Sequence, residues 1–444
     1  MAPAPTSIAA ANGANASPVK ASSRIQHDPQ VVQYPTFPAE PLTTPEQFYA
    51  RAEQVADLLH QDEAIRDRGN VVPYRQVQLL KDAGLVTLLG PQESGGGGQT
   101  WKEGYQVIRL LARGDGSIAQ IYGYHLLWFW AFALVGTDEQ RKKWEQLLTA
   151  RKAFLGGAVN PRDADLFVSE HPSDPTKLVF DGRKTFSTGS KISDYTILEG
   201  ATKEGGHIFA AVPSKQPGIV YGDDWVDTLG MRGTQSGSIE IKKVEVPWED
   251  ALGFVNKEFQ PLGPYKTLNL PTIQLVFTAF YLGITEGALA RGLEYTRKNT
   301  RAWPYVPEAN RVSRGTDEFY IQSDYGTLQS KVWASAALIE QVIDLGASIL
   351  HSDRRSVTAE QRGEFAVRVA ASKVGIVDTG LEVTSKVYEL QGARSIAAKY
   401  GFDLAWRDLR THSLHDPIAH KRAEVGRYAL HGQPEGHSTP TWYT

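Results

Sequence analysis

"KLVFDGRKTFSTG", residues 177–189, is the stretch whose reading divides the chain. Two short strand-like runs flank Asp181-Gly182, a pair favoured in tight hairpin turns because both residues tolerate positive φ. The surroundings have the same grain. "DYTILEGAT" (194–202), "HIFAAVP" (207–213), "GIVYG" (218–222) and "GSIEIKKVEVP" (237–247) follow, the last alternating Ile239, Ile241, Val244 and Val246. The expectation is a small β-sandwich or barrel domain over 153–262.

On both sides the period lengthens to that of helices. "TTPEQ" (43–47) offers Thr44 as N-cap, Pro45 at the first helical position and Gln47 three residues after the cap, ahead of Phe48, Val55, Leu58 and Leu59 at helical spacing. Pro73 opens another helix, and 101–112, 117–135 and 138–149 continue the pattern, giving an N-terminal helical domain over 43–152. The "SGGGG" at 94–98 lacks the Gly-Lys-Ser/Thr ending and the preceding strand of a phosphate loop, and reads as a plain loop. Beyond the β segment, 271–298 is apolar nearly all round, whereas 323–350 and 362–390 are amphipathic, as a four-helix bundle over 263–433 requires. The fold class is α+β, mainly α. Residues 1–42 hold seven prolines and only Lys20, Arg24, Asp28 and Glu40 as charged side chains, so a disordered extension is expected there, and 434–444 reads as a tail.

Composition narrows the function. Without cysteine among 444 residues there is no disulfide, thiolate metal site, Fe–S cluster or thiol nucleophile. A net charge of -3 provides no basic field for nucleic acid or anionic lipid, which points to small-molecule ligands. The longest apolar run, "LLWFWAFALV" (126–135), is half the roughly 20 residues of a membrane span and reads as a buried helix. No Arg-rich amphipathic leader or secretory core stands out, so the expected location is cytoplasmic. "RTHSLHDPIAH" (410–420) packs three of the eleven histidines beside an aspartate. His412 and His415 lack an evident third ligand for a metal, which leaves buried structural imidazoles or proton chemistry as the stronger readings.

The order helices, strands, helix bundle, together with "GDGSIAQIYGYHL" (114–126), "GRKTFSTGSKISD" (182–194), "DDWVDTLGMRGTQSGS" (223–238), "QLVFTAFYLGITEGAL" (274–289), "EYTRKNTRAWP" (294–304) and "YGFDLAWRDLRTHSLHDP" (400–417), resembles the acyl-CoA dehydrogenase superfamily. Within it, the chain is similar to the two-component flavin monooxygenases of the dibenzothiophene monooxygenase family. The resemblance spans about 43 to 433. It implies flavin between the middle domain and the bundle, and a histidine in the "HSLHDP" loop that supports a flavin C4a-hydroperoxide. His415 takes that role, His412 shares the chemistry and the flavin contact, and Asp416 orients the imidazole.

By the same resemblance Thr188 lies at the flavin N5 and O4 edge, Ser236 and Ser238 line the ring or phosphate side, and Tyr124 and His125 close the pocket. Arg301, from a neighbouring subunit, reaches the flavin phosphate, and Arg394 sits at the former dinucleotide loop. Read from the residues alone, Thr188 is equally an ordinary strand threonine and either arginine a surface ion-pair partner. "GARS" in place of a glycine-rich loop favours FMN, with FAD the alternative. Gly157 stands where the branch has an asparagine, with Asn160 three residues on, and Gln120 where it has a histidine.

No strand followed by G-x-G-x-x-G and a helix occurs, so a separate flavin reductase is the expected electron source. The implied protein is a homotetrameric oxygenase component that uses reduced FMN and O2 on a sulfur, nitrogen or aromatic carbon centre of a small apolar or aromatic substrate, without a metal, nucleic acid or membrane. Two other enzymes remain open: an acyl-CoA dehydrogenase or desaturase with Asp416 or Glu286 as base, and an oxidase of an amine or nitroalkane. A non-catalytic scaffold of the same fold is the remaining alternative.

Overall fold

The computed structural model describes residues 32–160 and 165–432. Six helices come first: α1 (Pro45–His60), α2 (Glu63–Arg68), α3 (Tyr74–Asp82), α4 (Trp101–Gly114), α5 (Gly116–Leu134) and α6 (Asp138–Ala150). Their starts are chemically marked. Thr44 accepts from the Gln47 N–H while Gln47 accepts from the Thr44 N–H, and Thr100 with Glu103 and Thr137 with Gln140 repeat this capping box. Helix α5, which contains the "LLWFWAFALV" run, is buried on every side. In the glycine loop, the Gly96, Gly97 and Gly98 amides donate to the Pro91, Thr87 and Gly90 carbonyls, so these N–H groups already have backbone acceptors.

The extension departs from expectation at its end. Residues 32–42 are docked: Arg75 donates to the Val32 carbonyl at 2.8 Å, Gln76 to the Tyr34 hydroxyl at 2.7 Å, and the Arg51 guanidinium lies 4.5 Å from the centre of the Phe37 ring. Two aromatic rings supply the anchoring surface that the local composition lacks. Residues 1–31 and the tail from 433 lie outside the described residues.

The middle segment is one curled mixed sheet. Its strands are β1 (Leu155–Ala158), β2 (Leu166–Glu170), β3 (Lys177–Lys184), β4 (Tyr195–Ala201), β5 (His207–Pro213), β6 (Ile219–Tyr221) and β7 (Ile239–Pro247), ordered β1-β4-β2-β3-β7-β6 with β5 also on β4. A small hairpin of β8 (Phe254–Val255) and β9 (Glu258–Phe259) follows. The Asp-Gly pair does not make the expected turn: it lies within a single strand, β3, as a bulge where the register against β7 slips between Phe180 and Gly182. Gly182 has φ 139°, and a Cβ there would stand 1.9 Å from the Asp165 carbonyl oxygen, so the glycine serves a strand irregularity.

Five helices close the chain: α7 (Asn269–Asn299), α8 (Phe319–Leu350), α9 (Ala359–Gln391), α10 (Phe402–His412) and α11 (Ile418–His431). Helix α7 runs between α9 and α4, and its residues join one apolar core that extends from α1 to α10, while the sheet interior around Phe180, Leu198 and Ile239 forms a second. Both α7 and α8 are long and apolar enough to cross a membrane by length and composition. The most apolar window of α7 is 83% buried inside the fold and that of α8 44%.

Candidate active site

Helix α5 enters the interior on Asp115, whose carboxylate accepts from the Ile118 N–H and from Arg66, each at 2.9 Å. From there Gln120, Tyr124 and Trp128, four residues apart, lie along one face of the helix. The Tyr124 and Trp128 rings meet edge to face at 6.2 Å. Gln120 bonds the Tyr124 hydroxyl, whose pKa burial raises, so Tyr124 stays protonated. Beside this row runs a line of hydroxyls from the loops before β4 and β7: Thr188 to Ser236 at 2.8 Å, Ser236 to Thr234 at 2.7 Å, and Thr234 to the Met231 carbonyl at 2.9 Å. The carbonyl only accepts, so Thr234 gives it a proton, Ser236 donates to Thr234 and Thr188 to Ser236. Thr188 is left as an acceptor.

Across from α5 stand α7 and the end of α10. Tyr124 stacks on Phe277 at 6.0 Å, and Phe277 in turn meets His412 at 4.5 Å and His415 at 4.9 Å. His412 ends α10 and is 5% exposed, whereas the His415 side chain, in the turn beyond, is 46% exposed. Their rings stack 5.3 Å apart with 19° between planes, rather than converging on a common point. The Tyr281 hydroxyl lies 2.7 Å from His412 Nδ1 and 3.0 Å from the His412 carbonyl oxygen. If the hydroxyl donates to the carbonyl, Nδ1 carries the ring proton and Nε2 is bare; if it donates to Nδ1, Nε2 is the N–H. Either tautomer is matched. Burial, followed by His415 and Lys373, pushes the His412 pKa well down, so the ring is neutral.

Behind His415, Asp416 is clamped. Its Oδ2 accepts from Lys373 at 2.7 Å and Gln274 at 2.5 Å, and Oδ1 lies 3.3 Å from His415 Nδ1. Burial opposes the charge, but the His415 hydrogen bond and the Lys373 ammonium hold this carboxyl well below the usual range. Lys373 is fully buried on α9, which pushes its own pKa down, and it donates also to Gln274 at 2.6 Å. A carboxylate so held is a poor proton acceptor.

Other sequence-nominated residues lie apart from this cluster. The Ser238 N–H is held by Asp224 at 2.8 Å, at the exposed start of β7. Arg301 and Arg394 are both exposed, on the segments after α7 and α9, and Thr300 donates to the Gln391 carbonyl at 3.1 Å, so these two segments meet at one end of the bundle. His125 belongs to the core: its Nδ1 accepts the Leu155 N–H at 3.1 Å, and its Nε2 donates to the Val86 carbonyl at 2.8 Å. Glu286 is gripped by Arg109 at 2.5 Å and Arg113 at 3.0 Å. Sequence reasoning missed Tyr281, Gln274, Lys373, Trp128 and Thr234. A usable signal existed for three of them: Gln274 and Tyr281 share the face of Phe277 at helical spacing, and Lys373 is a lone cation in an apolar helical run.

Three buried polar atoms of this wall have no partner among the described residues: Gln120 Oε1, Trp128 Nε1 and His412 Nε2. Each costs on the order of 1–3 kcal/mol unless something bonds it. A polar ring system between α5, the hydroxyl line and α10 would meet that need, so the donor set fits a flavin.

Comparisons with known proteins identify the family. The acyl-CoA dehydrogenase N-terminal domain model matches residues 46–151 and the C-terminal domain model residues 275–419. Dibenzothiophene monooxygenase of Mycolicibacterium goodii is 33% identical, over 82% of this chain and 89% of its own. A probable FMNH2-dependent monooxygenase, SfnC, of Pseudomonas putida is 30% identical, over 90% and 98%. The structure of TdsC from Paenibacillus sp. A11-2 in complex with FMN and indole superposes with a TM-score of 0.82 at 31% identity, covering 90% of this chain and all of that one. This chain therefore belongs to the acyl-CoA dehydrogenase family and, within it, to the flavin-dependent monooxygenases.

Proposed function

We propose that this protein is the oxygenase component of a two-component system that binds reduced FMN, takes up O2 and places one oxygen atom on a sulfur, nitrogen or aromatic carbon centre of a small apolar or aromatic molecule. The other oxygen atom leaves as water and the flavin leaves oxidised. Reduced FMN supplies the electrons and the O2 chemistry; the protein supplies orientation, dryness and protons. The observation that carries the reading is the buried Nε2 of His412, without a partner among the described residues, on the aromatic wall that His412 forms with Phe277 and Tyr124. Thr188 as an acceptor suits reduced flavin, which has an N–H at N5 where oxidised flavin has none. His412, matched by Tyr281 in either tautomer, can give or take a proton at Nε2. His415, half in solvent and steadied by Asp416, exchanges that proton with water.

Arg301 and Arg394 are the proposed phosphate ligands, the former across a subunit boundary, since a guanidinium bonds two phosphate oxygens at once. A homotetramer is part of the same proposal; the exposed rings of Phe319 and Trp333 on α8 support contact between subunits. A cytoplasmic location suits a supply of reduced nicotinamide. The dehydrogenase alternative gains no support, because Asp416 is ion-paired with Lys373 and Glu286 with two arginines.

The test is turnover of thioanisole or indole. Purified protein with FMN and NADH should form no oxygenated product, and addition of a flavin reductase should start it. Product without reductase, or oxidation yielding only hydrogen peroxide, would overturn the assignment.

A further inference from the structure

Asp408 is a buried carboxyl outside the stack of Tyr124, Phe277 and the two histidines. It lies on α10 one turn before His412, on the same side of the helix, and is 2% exposed. Its Oδ1 accepts the Met231 N–H at 2.6 Å. Met231 belongs to the loop before β7 that carries the hydroxyl line, and its carbonyl receives the Thr234 hydroxyl and the Trp225 indole N–H, each at 2.9 Å. One residue thus gives its N–H to α10 and its carbonyl to the hydroxyl line. Met231 with φ 55° and Gln235 with φ 49° are left-handed without being glycine, a conformation that costs about 1–3 kcal/mol each and persists only where the surroundings enforce it. Helix α10 supplies that enforcement. A Cβ on Gly230 would fall 2.4 Å from the Arg407 carbonyl oxygen and 2.7 Å from the Asp408 nitrogen, and Arg407 donates to the Leu229 carbonyl at 2.9 Å. Asp408 Oδ2 faces the first turn of α5, 3.2 Å from where a Cβ of Gly116 would stand. Asp67 and Asp115 nearby each hold an arginine, whereas Asp408 has no ion pair among the described residues. Burial pushes its pKa well up, against the Met231 hydrogen bond, so it serves as an acceptor without a full charge.

We infer that Asp408 is a positioning residue for oxygenation: through the Met231 N–H it locks the hydroxyl line of Thr234, Ser236 and Thr188 to α10, so that the Thr188 oxygen and His412 Nε2 keep one spacing. This role rests on the monooxygenase reading, whereas the lock itself is a property of the flavin-free protein. A hydroxyl line loose from α10 would seat the flavin at a variable distance from His412. A displacement of about 1 Å can cost about a hundredfold in rate.

The experiment follows hydrogen exchange of residues 229–237 in the flavin-free protein. Beside it, thioanisole oxygenation, hydrogen peroxide released and reduced-FMN affinity are measured with a reductase present. Asp408→Ala removes the acceptor. It should speed exchange of this segment about tenfold, as for one lost hydrogen bond, and lower oxygenation about tenfold to a hundredfold with peroxide rising in its place, while affinity stays within about threefold. Asp408→Asn keeps a neutral carbonyl acceptor and should bring exchange and oxygenation back to within about threefold of wild type. Thr234→Val cuts the same lock at the Met231 carbonyl and should reproduce the alanine variant, which decides the matter if Asp408→Ala does not fold. Wild-type exchange in Asp408→Ala, or in Thr234→Val where that variant stands in for it, would overturn the lock. Equal oxygenation losses in the alanine and asparagine variants would overturn the positioning role in favour of a carboxylate one. Exchange as expected, with no oxygenated product even from wild type, would instead strike the monooxygenase reading.

Discussion

His412 gives its two ring nitrogens different tasks. Nδ1 meets a tyrosine hydroxyl that suits both tautomers, and Nε2 has no partner among the described residues, as the proposed proton role requires. His412→Ala should therefore lower oxygenation by about 10²–10⁴, the usual effect of removing a positioned acid–base group, while reduced-flavin affinity stays nearly unchanged. Asp416→Ala should lower the oxygenation rate less, since the carboxylate reaches the site through His415, but it should also destabilise the fold by leaving Lys373 buried without its counter-ion. Rapid-mixing kinetics beside a flavin titration checks both variants; a greater loss in Asp416→Ala would favour carboxylate chemistry. "HSLHDP" is legible as a cluster because histidines are scarce, but which imidazole is buried is not. His415 is the natural first choice from the motif, and the structure leaves it half in solvent because α10 ends at His412, one turn earlier.

At the scale of elements, the site depends on where α5 begins. Asp115 caps that helix and also receives Arg66, which donates as well to Asp62 at 2.7 Å, so one buried carboxylate sets both the helix start and its seat against α2. Asp115→Ala would uncap α5 and leave Arg66 with one buried carboxylate instead of two. The expected loss is about 3–5 kcal/mol in urea unfolding, as for other broken buried ion pairs. A loss near 1 kcal/mol would mean that only the cap mattered. Boundaries of the N-terminal helices are legible to within about two residues, because capping boxes and apolar spacing act over three or four residues, whereas α8 and α9 begin at Phe319 and Ala359, ahead of the 323 and 362 read from amphipathic spacing. The Asp-Gly bulge is not legible, because its geometry is decided by the Asp165 carbonyl and by β7, which lies far along the chain.

Across the whole molecule, neutral histidines join the three segments. His125 ties α5 to β1 and to the loop before α4; His351, after α8, accepts the Trp101 N–H at 2.9 Å; His412 joins α10 to α7. Burial pushes His125 and His351 down to about 4, and His412 well below its ordinary value. As pH falls from about 6.5, the unfolded chain takes up these protons before the folded one. Stability is thus fully present above about 6.5 and declines towards about pH 4. His125, fully buried, contributes about 3 kcal/mol of that fall; His351 contributes less because solvent reaches it. Urea titrations of the flavin-free protein at pH 7.5, 6 and 5 should show the decline, and His125→Gln should flatten it; stability constant over this range would refute it. The sequence by itself determined the order of helices, strands and bundle, the family, and the absence of thiol chemistry, because periodicity, caps and composition are local or additive. Only the tertiary structure decided that residues 32–42 dock, that Lys373 clamps Asp416, that His125 is core and that Asp408 holds Met231. Those depend on side chains meeting across large separations, such as the 131 residues between Tyr281 and His412, and on which polar atoms are then left buried without a partner.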